Sequence, residues 1–130
     1  MLKSFSKTIQ VTADDLDDLN HVNNVRYVQW IQDIAKEHWQ EKAPIELLEQ
    51  CIWVVKSHYI EYKKAAFLND SIEIKTYIKE SKGALSVRVV EMHDKESKQL
   101  LLKSKTEWVL LDTKSNRPIR VSEAIIAIFK

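Results

Sequence analysis

The stretch DDLDDLNHVNNVRYVQWIQDIAKEHWQEK, residues 14–42, decides the architecture. Its second part, residues 24–42, has helical spacing. Tyr27, Ile31, Ile34, Ala35 and His38 fall on one face, and Arg26, Gln29, Asp33, Lys36 and Gln40 on the opposite one. The part before it is crowded with Asp and Asn, residues that bond their own backbone in turns and cap helices. Pro44 marks the end of this helix or the start of a short second one over residues 44–50.

Outward from the helix, the rest of the chain reads as strands. On the N-terminal side, residues 4–13 carry Phe5, Ile9 and Val11 with Ser6, Thr8, Gln10 and Thr12 between them. On the C-terminal side, residues 52–63 are aromatic and β-branched, and residues 71–80 alternate, with Ile72, Ile74, Thr76 and Ile78 on one face. Gly83 turns the chain into a strand over 84–93, where Leu85, Val87 and Val89 share a face. His93–Gln99 reads as a hairpin loop. Residues 100–112 place Leu102, Ser104, Thr106, Trp108 and Leu110 on one face, and SEAIIAIFK closes the chain as a short helix with Ser122 as N-cap. Strands joined by short polar loops pair antiparallel. One strand, one long helix and four strands therefore predict a single α+β domain over 1–130, with the sheet curled around the helix's apolar side.

Composition narrows the function. Lys and Arg total 20 against 19 Asp and Glu, a net charge of +1, which argues against general nucleic-acid binding. The single glycine, Gly83, excludes glycine-rich phosphate loops and a G-x-S-x-G nucleophile elbow. The single cysteine, Cys51, excludes an internal disulfide and a cysteine-rich zinc site, and it reads as a small buried residue. The four histidines lack metal-ligand spacing, so neither metal nor cofactor is expected. The first ten residues, MLKSFSKTIQ, lack the apolar core of a secretion signal, and no apolar run approaches a membrane span. A cytoplasmic protein with no membrane partner is the expectation.

Reactive groups concentrate in residues 14–27. Asp14, Asp15, Asp17, Asp18, Asn20, His21, Asn23 and Asn24 lie there, more than capping one helix needs. A carboxylate or imidazole beside the unpaired N–H groups of a helix start supplies a base or nucleophile together with an oxyanion site.

The stretch DLDDLNHVNNVRYVQWI, residues 15–31, resembles the hotdog-fold thioesterases, closest to the acyl-CoA and acyl-acyl-carrier-protein branch with its Asp-x-Asp and His-Val-Asn-Asn-x-x-Tyr signature. IEYKKAAFLNDSIEI, residues 60–74, and KTEWVLLDTKSNRPIRVSEAI, residues 105–125, resemble later parts of the same family more loosely. The resemblance implies a hotdog fold, about five long antiparallel strands around one central helix. It also implies hydrolysis of an acyl thioester of coenzyme A or acyl-carrier protein, with the pantetheine arm as part of the substrate. Asp17 takes the role of nucleophile or general base, and His21 a catalytic or positioning role. The helix-start N–H at Asn24 polarises the thioester carbonyl, while Asn23 orients the loop or a water; Tyr27, Lys63 and Lys64 complete the binding set. By the same resemblance the expected assembly is a homodimer or a dimer of dimers. A non-hydrolytic hotdog acyl-thioester binder or regulatory protein is the alternative.

Three positions depart from the family pattern: Asn20 where many relatives have glycine, Leu19 where plant-type members have asparagine, and Ala65–Ala66 after Tyr-Lys-Lys where they have glutamate. Catalysis then rests on Asp17. Asp33 reads as a solvated helix residue, Glu37 as a minor alternative carboxylate, and His38 as a packing histidine. His58 can face either side of its strand, and His93 falls in the exposed loop. Lys56, Lys63, Lys64 and Arg88 are candidates to meet coenzyme A phosphates or an acidic carrier protein, against the plainer reading of surface cations. Trp30, Trp53 and Trp108 read as core or subunit interface.

Overall fold

The computed structural model describes residues 3–130; Met1 and Leu2, part of the N-terminal stretch read above, lie outside the described residues. The long helix, α1 (Asn24–Lys42), has the expected bounds. It starts where the Asn23 side chain accepts the N–H of Val25 and stops at Ala43, which Pro44 holds extended at φ −77° and ψ 138°. A short helix, α2 (Ile45–Gln50), follows. The strands are β1 (Phe5–Gln10), β2 (Cys51–Tyr62), β3 (Ser71–Lys82), β4 (Leu85–Asp94) and β5 (Leu100–Asp112), and α3 (Glu123–Ile128) closes the chain. Ser122 caps α3 as expected, its hydroxyl accepting the N–H of Ile125.

The five strands form one antiparallel sheet in the order β1-β3-β4-β5-β2. Consecutive strands β1 and β2 occupy opposite edges, so the chain between them must cross the sheet. The helix α1 lies in that crossing. Bulges at Val55/Ser57, Ile78/Glu80 and Met92/His93 bend the strands and deepen the curl around α1. Gly83 makes the β3–β4 turn at φ 61°.

Two expectations are corrected. The first strand ends at Gln10, because Thr12 and Asp15 close a tight 3-10 turn over Ala13–Asp15, with Asp15 Oδ2 accepting the N–H of Thr12 at 2.8 Å. His93 is in β4, opposite Glu73 and Leu100, rather than in the loop, and is half-buried. Asp94 gathers the N–H groups of Glu96 and Ser97, so the turn needs only the residues after it.

The concave face of the sheet carries two apolar clusters under α1. One joins Tyr27, Trp30, Ile31 and Ile34 to Ile72, Ile74, Val90, Met92 and Leu102. The other joins Trp39 and Ala43 to Cys51, Leu110, Val121, Ile125 and Phe129. Between them runs a buried polar belt. Arg88 and Thr106 are cross-strand partners, His58 pairs with Thr106 on the next strand, Thr76 adds a hydroxyl, and His38 reaches down from α1. On β4 the inward set is thus Ser86, Arg88, Val90 and Met92. The more uniformly apolar Leu85, Val87 and Val89 face the other way.

Candidate active site

The loop before α1 is held by its own backbone. Leu16 and Val22 form an isolated antiparallel bridge, and the N–H of Asp17 donates to the carbonyl of His21 at 2.8 Å. The turn closes through Asn20, whose φ of 62° is left-handed, a conformation asparagine tolerates better than most residues. Inside this turn Asp17 Oδ1 accepts the N–H groups of Leu19 at 2.9 Å and His21 at 3.1 Å. The carboxylate is therefore pinned by one oxygen, while Oδ2 has no donor among the described residues.

One neighbouring acid does structural work instead. Asp15 is buried, closes the 3-10 turn, and pairs with Arg26 Nε at 2.9 Å. Asn23 is the helix cap, not a free polar group. Asp14 and Asp18 are exposed. At the first turn of α1, Val25, Arg26 and Tyr27 give their N–H groups to Asn23. Asn24 N–H has no intramolecular acceptor among the described residues, so the positive end of a 19-residue helix presents one free donor there.

Asp17 and Asn24 line the same cavity, of about 400 Å³, together with His21, Tyr27, Tyr62, Lys63 and Lys64. The sequence-expected residues are thus brought together, apart from Asn23, which acts from behind as the cap. The His21 ring stands edge-on to Phe67 at 5.2 Å. The Tyr27 hydroxyl accepts the N–H of Ala66 at 3.3 Å, and burial raises its pKa. Ala65 is also in the wall, so the position of the missing glutamate is a small apolar one. Lys63 and Lys64 are exposed at the rim; Lys63 meets Glu61 at 3.1 Å, and Lys64 reaches Gln99. An acyl thioester with its carbonyl oxygen at Asn24 N–H would meet a carboxylate on one side and cations at the cavity mouth.

Other candidates are placed elsewhere. Glu37 pairs with Lys7 at 2.9 Å, tying α1 to β1. Asp33 accepts the side-chain N–H of Gln29 at 2.8 Å on the outer part of α1. His38 is buried between Phe5 and Phe129. His58 faces inward, with Nδ1 at 2.8 Å from Thr106 Oγ1. Cys51 is buried, which raises its thiol pKa. Lys56 is exposed on β2. Arg88 is corrected outright: only 6% exposed beneath α1, it cannot reach a coenzyme phosphate at the surface. Trp30 is core, whereas Trp53 and Trp108 line a second cavity that sequence reading did not foresee. Its signal was present in Arg88, at an inward register position of β4, but arginine is so commonly exposed that alternation alone does not mark it.

One antiparallel sheet wrapped around a helix is the hotdog arrangement, and the chain is a hotdog-fold thioesterase. It belongs to the acyl-ACP thioesterase family: the family's N-terminal-domain model matches residues 2–129. No curated protein matches it in sequence. Among solved structures, it is similar to a 4-hydroxybenzoyl CoA thioesterase mutant complexed with 4-hydroxybenzoyl CoA, with 16% identity, TM-score 0.87, and coverage of 98% of this chain and 99% of that one. The probable thioesterase YbaW from Escherichia coli is similar at 18% identity and TM-score 0.85, covering 95% and 94% of the two chains. The 12:0-ACP thioesterase from Umbellularia californica is similar at 15% identity and TM-score 0.83, covering 98% of this chain and 51% of that one.

Proposed function

We propose that this protein hydrolyses acyl thioesters carried by coenzyme A or acyl-carrier protein, with Asp17 as the catalytic carboxylate. The observation that carries the reading is the pairing of Asp17, held by two backbone N–H groups, with the free N–H of Asn24 on one cavity wall. The thioester carbonyl is polarised by the helix-start donor. Asp17 then attacks it, releasing thiolate and leaving an anhydride that water opens, or removes a proton from an attacking water. His21 positions the thioester or passes a proton to the departing sulfur. Lys63 and Lys64 attract the phosphates of coenzyme A or the acidic surface of a carrier. The relatives' substrates, a hydroxybenzoyl-CoA in one case and an acyl carrier in another, are consistent with either carrier.

We further infer that two copies pair, as a homodimer or a dimer of dimers. Among the described residues β2 is an edge strand whose one neighbour is β5, and it exposes Ile52, Val54, Val55 and Tyr59. A long apolar edge of this kind is normally covered, and a second β2 laid antiparallel would satisfy its free backbone groups. Among the described residues no helix is long and apolar enough to cross a membrane.

Asp17→Asn tests the assignment. The asparagine Oδ1 can accept the same two N–H groups, so the loop survives while the charge is lost. Thiol release from acyl-CoA substrates should fall by about a thousandfold, comparable to other lost electrostatic or nucleophilic groups, with the melting temperature retained. A folded Asp17→Asn protein with wild-type turnover refutes Asp17; acyl-CoA binding without thiol release in the wild type makes the protein a binder instead.

A further inference from the structure

The second cavity, about 510 Å³, lies between α1 and the β2–β5–β4 side of the sheet and shares no lining residue with the Asp17 cavity. Trp39, Trp53, Trp108 and Ile78 give it an apolar wall, and Arg88 lines it from the polar belt. Arg88 Nη1 donates to His38 Nδ1 at 2.8 Å and to Thr76 Oγ1 at 3.2 Å. A guanidinium has no acceptor, so His38 Nδ1 must carry the lone pair, and His38 is neutral with its proton on Nε2. The other neighbour of the charge is the Phe129 ring, 5.8 Å from the guanidinium carbon. Among the described residues Arg88 has no carboxylate within ion-pair distance. Asp33, on the same cavity, is engaged with Gln29. The Trp108 indole N–H is likewise buried without an acceptor.

A buried cation met only by neutral groups is costly, and an unpaired indole N–H adds to the deficit. Arg88 is a donor on the wall of this small-molecule-sized cavity, while the Trp108 indole nitrogen is closed off from it. A planar carboxylate matches the guanidinium fork, while the tryptophans suit an aliphatic or aromatic body. We propose that this cavity binds a carboxylate-terminated apolar ligand, its anion on Arg88 and its body against Trp39, Trp53 and Trp108. Two sources share that chemistry: a free carboxylic acid, and the distal carboxyl of an acyl group still attached to its thiol. The second source rests on the thioesterase reading of the preceding section; the site itself does not.

The test is a tryptophan-fluorescence titration of the full chain with decanoate and 4-phenylbutyrate, each against its primary amide. The acid should bind the wild type at least about tenfold tighter than the amide, as expected for a charge-assisted contact. Arg88→Met should abolish that preference and Arg88→Lys should keep part of it, whereas Asp17→Asn should leave it intact. Equal affinity of acid and amide for the wild type overturns the proposal without recourse to any variant, as does a preference that persists in Arg88→Met. A second arm compares thiol release from hexadecanedioyl-CoA and palmitoyl-CoA, because Arg88 meets His38, about 21 Å along α1 from Asn24. Faster release from hexadecanedioyl-CoA that disappears in Arg88→Met assigns the site to the substrate's distal carboxyl; acid binding with equal release assigns it to a free acid. Asp17→Asn that binds acid but releases no thiol, or that still releases it, decides the catalytic assignment separately.

Discussion

His38 should make the protein acid-labile in a defined window. Its ring is fully buried, and both desolvation and the Arg88 charge oppose a second proton, with Lys42 adding to the same effect; its pKa is lowered from 6.5 to about 4. Below the ordinary value the unfolded chain takes up a proton that the folded one refuses, so stability is complete above pH 6.5 and falls as the pH drops toward 4. At pH 5 the unfolded histidine is almost fully protonated and the folded one almost not at all. With about 1.4 kcal/mol per pH unit, the loss between pH 7 and pH 5 is about 2 kcal/mol. For a chain of this length that corresponds to a melting-temperature fall of roughly 7 °C. The assay is urea unfolding at both pH values for the wild type and His38→Asn, whose side-chain oxygen can still accept from Arg88. Burial also lowers the pKa of His58, so the informative quantity is the difference between the two proteins. His38→Asn should lose about 2 kcal/mol less than the wild type over this interval. Parallel losses would refute the buried, neutral histidine and the charge beside it.

Removing Asp15 should damage the fold rather than the chemistry. Asp15→Ala deletes the acceptor for Thr12 and the partner of Arg26, and should cost roughly 1–3 kcal/mol in chemical denaturation. At Asn20 the left-handed φ decides the outcome: Asn20→Gly should stay within about 0.5 kcal/mol of wild type, and Asn20→Ala should lose about 1 kcal/mol, measured by the same unfolding curves. On the exposed β2 edge, Val55→Lys should move the protein toward the monomer in light scattering coupled to size exclusion. An unchanged mass would place the subunit contact elsewhere.

Local chemistry made much of the fold readable. The bounds of α1 follow from an asparagine cap, a seven-residue buried stripe and Pro44, and none of these depends on distant contacts. Residues 100–112 and the Gly83 turn are likewise local. The faces of β4 are different. Both alternating sets contain apolar residues, and the set that meets α1 is the one interrupted by Ser86 and Arg88. Only the cross-strand register and the helix above select it. The site divides in the same way. Asp15 and Asp17 are identical side chains two positions apart, and the Leu16–Val22 bridge is what turns one toward Arg26 and leaves the other at a cavity. A family resemblance picks Asp17, but composition and spacing do not. Arg88 is hidden for a further reason: its burial depends on His38 fifty positions earlier, Thr76 on a neighbouring strand and Phe129 at the far end of the chain. Apolar packing alone would have used leucine or methionine at such a position without cost to the fold. A charge kept among three partners so distant in sequence, on the wall of a cavity whose carboxylate, Asp33, is bonded to Gln29 and lies beyond ion-pair distance, is better explained by a ligand that brings the anion than by the needs of the core.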